Sequence, residues 1–121
     1  MAKPPGKLFG LFAKKPAGIA QAAKRDDEVR AALARHGDDG TAPRDTVFYF
    51  YGGDFEGLGS AARAAGYATK LTIKSDGVIL SKDMPVDAAS FAATSAQMEA
   101  WAQAFGCEYD GWECAVLKKL N

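Results

Sequence analysis

Long apolar runs are missing from this chain: nowhere do roughly 18 apolar residues follow one another, so no segment is fit to span a bilayer as a helix. The N-terminus also lacks the continuous apolar core of a secretory signal, and the cytoplasm is the expected compartment. Cysteine is scarce. Cys107 and Cys114 are too few for a disulfide framework, and with neither histidine nor further cysteine nearby they do not have zinc-ligand spacing. Two reduced, mostly buried thiols are expected. Histidine occurs once, as His36, with no second ligand or base beside it. Its expected place is the last turn of a helix, where it meets the free carbonyls and the dipole rather than a metal or a moving proton. No Ser-His-Asp, Cys-His or paired-carboxylate arrangement is visible, so an enzyme is not expected, and neither a cofactor nor a metal is called for.

Acidic residues are absent from residues 1–25, which hold Lys3, Lys7, Lys14, Lys15, Lys24 and Arg25; the other 96 residues hold nine bases and fifteen acids. A +6 arm therefore precedes a −6 body, although the whole chain of 121 residues is formally neutral. Such asymmetry bears on partners rather than on fold. Pro4, Pro5, Gly6, Gly10, Pro16 and Gly18 interrupt the arm so often that no long helix crosses it. Residues 1–25 are thus expected to form a flexible arm, and residues 26–121 a single domain with one modest core. Within the arm, Leu8, Phe9, Leu11 and Phe12 followed by Lys14 and Lys15 suit one amphipathic turn that touches a membrane surface, RNA or a partner groove. The plainer alternative is a disordered terminus whose aromatics pack on the body. A transit peptide would share the lack of acids, but not the lack of Arg and Ser before Arg25.

The body alternates two periodicities. From Gln21 the pattern is helical, with Val29, Ala32, Leu33 and His36 on one stripe, Asp26, Asp27 and Glu28 in the first turns, and Gly37 at the C-terminal end. Thr46 to Tyr51, β-branched and aromatic on both faces, reads as a central strand. A helix from Asp54 to Ala65 follows, with Phe55, Leu58, Ala62 and Ala65 on one stripe and Gly66 closing it. Tyr67–Lys74 and Val78–Asp83 flank Asp76-Gly77, a two-residue hairpin signal. With Ser75 opposite Val78, the residues Leu71, Ile73, Val78 and Leu80 share one face, and Lys70 opposes Asp83 on the other. Met84-Pro85 reads as extended, with a short helical turn around Asp87. Thr94 to Gln97 makes a capping-box pattern before a helix carrying Met98, Trp101, Ala102 and Phe105, with Gly106 at its end. Asp110-Gly111 then turns the chain into a last strand, Trp112–Leu117.

This order is one helix followed by β-α-β-β-α-β. The expected fold is α+β: a ferredoxin-like split βαβ, its two helices on one face of a four-stranded antiparallel sheet, preceded by an extra N-terminal helix.

Three stretches resemble a known family: the helix end Ala34-Arg35-His36-Gly37-Asp38, the Gly66-Tyr67 junction, and Ala102 to Trp112 with its Glu108-Tyr109-Asp110-Gly111-Trp112 signature. They are similar to the ribonuclease E inhibitor B family, also called regulator of ribonuclease activity B, over residues 26–116. The signature is specific, whereas the helix patterns around it are common. The resemblance implies a small cytoplasmic bacterial protein, without chemistry of its own, that binds ribonuclease E and lowers RNA cleavage. The best-known members continue into a long acidic tail where this sequence reads Leu117-Lys118-Lys119-Leu120-Asn121. The target expected here is then a different region of the ribonuclease, or a different protein.

The partner-binding surface or its support is expected at Glu108, Tyr109, Asp110, Gly111, Trp112 and Glu113, with Trp112 serving the core and contact surface as its alternative. Lys14, Lys15, Tyr49 and Tyr51 are candidates for contact with RNA or a partner, since tyrosines on an open sheet face are what RNA-recognition domains use for stacking. Val78–Asp83, which should repeat that theme, holds no aromatic. Gly52-Gly53-Asp54 follows a strand and opens a helix as phosphate loops do, but the Walker-type Lys-Ser/Thr is absent and Asp54 and Glu56 would repel phosphate. Two other functions stay open beside the regulator: an RNA-binding module built on the arm, and an immunity-type interaction domain unrelated to RNA.

Overall fold

The computed structural model describes residues 19–117. The readings of residues 1–18, Lys14 and Lys15 included, lie outside them, as does the end of the chain from Lys118. Three helices and four strands follow in the order α1 Ile19–Ala34, β1 Arg44–Tyr51, α2 Phe55–Ala64, β2 Ala68–Leu71, β3 Gly77–Met84, α3 Ala88–Phe105 and β4 Glu108–Cys114. The sheet order is β2-β3-β1-β4 with every neighbour antiparallel, the split βαβ arrangement expected from the element order.

Alternation along β1 decides what the sheet packs on. Phe48 and Phe50 face the helices and are fully buried beside Val78 and Leu80 of β3 and Leu58 and Ala62 of α2. α3 lays Phe91 on Phe48 with ring centroids 6.0 Å apart. α1 adds Val29 and Leu33 to the same core, so all three helices serve one side of the sheet. Asp54 caps α2 by accepting from Gly57 N at 2.9 Å. The two cysteines are buried free thiols.

Four local expectations are corrected. α1 starts at Ile19, so Asp26 to Glu28 lie in its middle rather than its first turns. His36 falls beyond the last helical residue, exposed in the turn, where Asp38 N returns to Leu33 O around Gly37. α3 begins at Ala88, capped by Asp87, because Phe91 finds a place in the core; Thr94 and Gln97 are mid-helix and cap nothing.

The β2–β3 hairpin pairs Leu71 with Val78, a register four residues from the one expected, and its turn spans Thr72 to Asp76 with Ser75 at φ 57°. The cause is Gly77. A Cβ there would strike the Phe50 carbonyl, so this glycine is needed inside β3 against β1 rather than in the turn. A shift by an even number keeps Leu71, Val78 and Leu80 on one face but leaves Ile73 in the turn, 73% exposed. It also places Lys70 opposite Ile79 rather than opposite Asp83, whose partner on the other edge of β3 is Asp45 of β1.

Candidate functional site

Asp110-Gly111 does not turn the chain into the last strand; it lies inside it. β4 already pairs with β1 at Glu108 opposite Tyr51 and Tyr109 opposite Phe50, and resumes at Trp112 opposite Phe48. Asp110 and Gly111 together stand against the single residue Tyr49, which makes a β-bulge with Gly111 at φ 98°. The positive φ that the Asp-Gly pair announces is therefore used, but to add a residue within the strand rather than to reverse it. The helix-to-strand turn is made by Gly106.

The extra residue determines where the signature points. Tyr109 and Trp112 are three apart, and in a regular strand they would face opposite sides of the sheet. With the bulge between them both face the helices, while Glu108 and Glu113 share the other face with Tyr49 and Tyr51.

On the helix side Tyr109 stacks on Phe50 at 4.9 Å and Trp112 lies against Phe91 at 4.5 Å. The Trp112 Nε1–H donates to Asp26 Oδ1 at 2.7 Å, and Ser95 Oγ donates to Asp26 Oδ2 at 2.6 Å. One carboxylate thus joins α1, α3 and β4. Burial raises the Asp26 pKa and the two donors only partly oppose it. Glu99 on α3 is raised as well, by burial and then by the Asp26 charge. Asp26 carries more of this site than a sequence reading expects, yet it stands at i−3 and i−7 from Val29 and Leu33. An acid on an apolar stripe was the available signal.

On the other face Tyr49, 2% exposed, donates its hydroxyl to Glu113 Oε1 at 2.9 Å. Glu113 is 0% exposed, and its Oε2 has no hydrogen-bond partner among the described residues. Burial, then the Glu113 charge and hydrogen bond, push the Tyr49 pKa upward. Tyr51 is half-buried and also raised, first by burial and then by Asp110, Asp76 and Glu113, which places these carboxylates around it. Glu108 and Asp110 are half-buried.

A third cluster fastens the end of β4. Arg44 pairs with Asp38 in a buried salt bridge, Nη2 to Oδ1 being 2.9 Å, and its Nη1 reaches Ala115 O at 3.0 Å. Asp38 also accepts from Gly40 N and Leu117 N. Burial alone would raise the Asp38 carboxyl, but the Arg44 hydrogen bonds, the two backbone donors and the guanidinium charge outweigh it and hold the pKa at about 2.

Six signature residues therefore divide between two faces: Tyr109 and Trp112 anchor the core, Gly111 makes the bulge, and Glu108, Asp110 and Glu113 belong to the face with Tyr49 and Tyr51. Such an arrangement can present charge and shape, and it brings together no nucleophile with a base. Among the described residues no cluster of three or more His, Cys, Asp or Glu side chains is placed to hold a metal ion, and no helix is long and apolar enough to cross a membrane. The family model described as regulator of ribonuclease activity B matches residues 23–114. No curated protein matches the chain.

Proposed function

The chain belongs to the regulator of ribonuclease activity B family, and on that premise we propose that it binds ribonuclease E in the bacterial cytoplasm and lowers RNA cleavage without chemistry of its own. The observation that carries this reading is the extent of the family match. Residues 23–114 run from within α1 to the last residue of β4, and so include Asp26, the bulge and both anchoring aromatics that fasten these elements together. Charge supports a protein partner over RNA. The body from residue 26 has a net charge of −6, and the tyrosines that would stack bases sit among carboxylates, which repel a phosphate backbone. An acidic body suits a basic segment of the ribonuclease, and its binding would slow cleavage by occupying or displacing what the RNA needs.

The test is direct. Excess purified protein added to a ribonuclease E cleavage reaction should lower the rate, with a complex detected by calorimetry. Unchanged cleavage and no heat of binding would refute the reading. Salt-sensitive binding of RNA that disappears when residues 1–25 are deleted would point to the RNA-binding alternative instead.

A further inference from the structure

The sheet has two edges, and they differ in cover. β4 is buried along most of its length, whereas Ala68, Lys70 and Leu71 of β2 are exposed. β2 pairs with β3 alone. Thr72 N donates to Gly77 O at 3.1 Å, and from that bond the antiparallel ladder alternates: Lys70 and Ala68 turn their N–H and C=O groups to β3, while those of Leu71 and Thr69 point out from the open edge. Leu71 and Ile73 are the exposed large apolar residues among those described, and both lie at this edge, Leu71 being 55% exposed.

A groove of about 410 Å³ runs between this edge and α2. Phe55, Gly59, Leu71 and Val78 line it, with Arg63 toward the end of α2 and Glu56 toward its start. Gly59 keeps the space open. A Cβ there would meet Arg63 Nη1 and Val78 Cγ2 at 3.5 Å, an ordinary contact, so packing does not demand glycine, and inside a helix glycine is less stable than alanine. Arg63 is held over the groove by hydroxyls, its Nη1 donating to Thr69 Oγ1 at 2.7 Å and its Nη2 to Ser60 Oγ at 3.1 Å. Neither partner is charged, and no carboxylate pairs with this guanidinium among the described residues. Lys70, between Thr69 and Leu71, projects to the opposite face of the sheet and adds a second cation to the same edge.

We propose that the β2 edge docks an extended segment of a protein partner, which adds as a fifth, antiparallel strand and carries an apolar residue followed directly by two acids. Hydrogen bonds with the outward groups of Leu71 and Thr69 hold the segment's backbone. Opposite Leu71, its apolar side chain enters the groove over Gly59. Opposite Lys70, the next side chain falls on the other face and pairs with that lysine; opposite Thr69, the third returns to the groove and reaches Arg63. A second copy of this chain is the wrong occupant, because two β2 edges paired antiparallel would crowd Lys70 and Arg63 against their own copies. This contact goes beyond the proposed function and does not depend on which protein is regulated.

The test is calorimetry on the full chain with a blocked nonapeptide, Thr-Val-Thr-Leu-Glu-Glu-Val-Thr-Thr, and its counterpart with two lysines in place of the glutamates. Wild type should bind the first one to one and the second more weakly by roughly tenfold or more. Methylating the leucine nitrogen of the peptide removes the donor aimed at the Leu71 carbonyl, keeps every side chain, and should weaken binding by roughly tenfold. Gly59→Met fills the groove with a residue that helices favour, so it should melt at or above wild type and bind the peptide less by a similar factor. Arg63→Glu with Lys70→Glu changes two exposed side chains and should reverse the preference toward the lysine peptide.

Loss on methylation together with that reversal supports the surface. No binding by wild type, binding that ignores methylation, or an unreversed preference overturns it, whether or not Gly59→Met folds. A wild-type dimer in sedimentation that Gly59→Met abolishes assigns the edge to a second copy and also overturns it. The peptide is offered to the chain alone, so none of these results depends on ribonuclease E, and the cleavage reaction tests the proposed function separately.

Discussion

The two faces of this sheet use burial in opposite ways. On the helix side Phe48, Phe50, Tyr109 and Trp112 meet other rings edge-on or stacked, and Asp26, the acid among them, is met by two donors. On the other side Tyr49 and Glu113 are just as buried, but the Glu113 Oε2 lacks a donor among the described residues and two aspartates face each other across β1 and β3. The first face satisfies itself and is an anchor. The second concentrates negative charge. Both depend on one bulge, because if the same residues paired regularly, without it, either Tyr109 or Trp112 would leave the core and an acid would take its place.

The largest predicted effect tests the anchoring face. Trp112→Ala removes a ring lying on Phe91 and one of the two donors to Asp26, and should cost about 3 to 5 kcal/mol in urea unfolding. A variant that melts like wild type but fails to bind would make Trp112 a contact residue and erase the contrast between the faces. Arg44→Ala should cost about as much, roughly 3 kcal/mol, because Asp38 would remain as a buried charge without its ion. Its mild tolerance would show that the end of β4 is not held by this pair. Gly111→Ala forces a side chain to φ 98° and should cost about 1 to 3 kcal/mol. An unchanged melt would mean that the bulge relocates without harm.

Acidity divides the helix-side contacts from the Asp38 lock. The Asp38 pKa lies at about 2 in the folded chain against 3.8 ordinarily, so its contribution is complete above 3.8 and is lost as pH falls toward 2. That loss should be about 2 kcal/mol, read from urea midpoints between these pH values and missing in Asp38→Asn. Asp26 works in the other sense. Its folded pKa is raised, so its share of stability is present below 3.8 and is lost as pH rises through the raised value. Asp26→Asn should flatten that limb of the profile. The smallest effect belongs to the helix-free face: Asp83→Asn relieves the repulsion with Asp45 and should raise stability by a few tenths of a kcal/mol at low salt. A clear loss of stability instead would mean that these aspartates serve the fold.

Much of the architecture was legible because its signals are short-ranged. Val29 and Leu33 repeat at helical spacing, Thr46 to Tyr51 is bulky on both faces as a central strand must be, and Asp54 and Gly106 stand at helix ends. The errors arose where a local preference was right and its use was not. Thr94 to Gln97 has a capping pattern, but the contact of Phe91 with Phe48 and Trp112 carries α3 further toward the N-terminus. Asp76-Gly77 favours a tight hairpin, but the close approach of β1 claims Gly77 for the strand.

The Glu-Tyr-Asp-Gly-Trp-Glu stretch separates the two kinds of information most sharply. Chemistry within those six residues decides that glycine takes a positive φ, that two rings seek the interior and that three acids seek charge partners or water. Whether the positive φ makes a turn or a bulge depends on Tyr49, about sixty residues earlier in the chain, being the single residue opposite. That choice then settles which acids gather on the helix-free face, since side-chain direction in a strand alternates and one added residue reverses every direction beyond it.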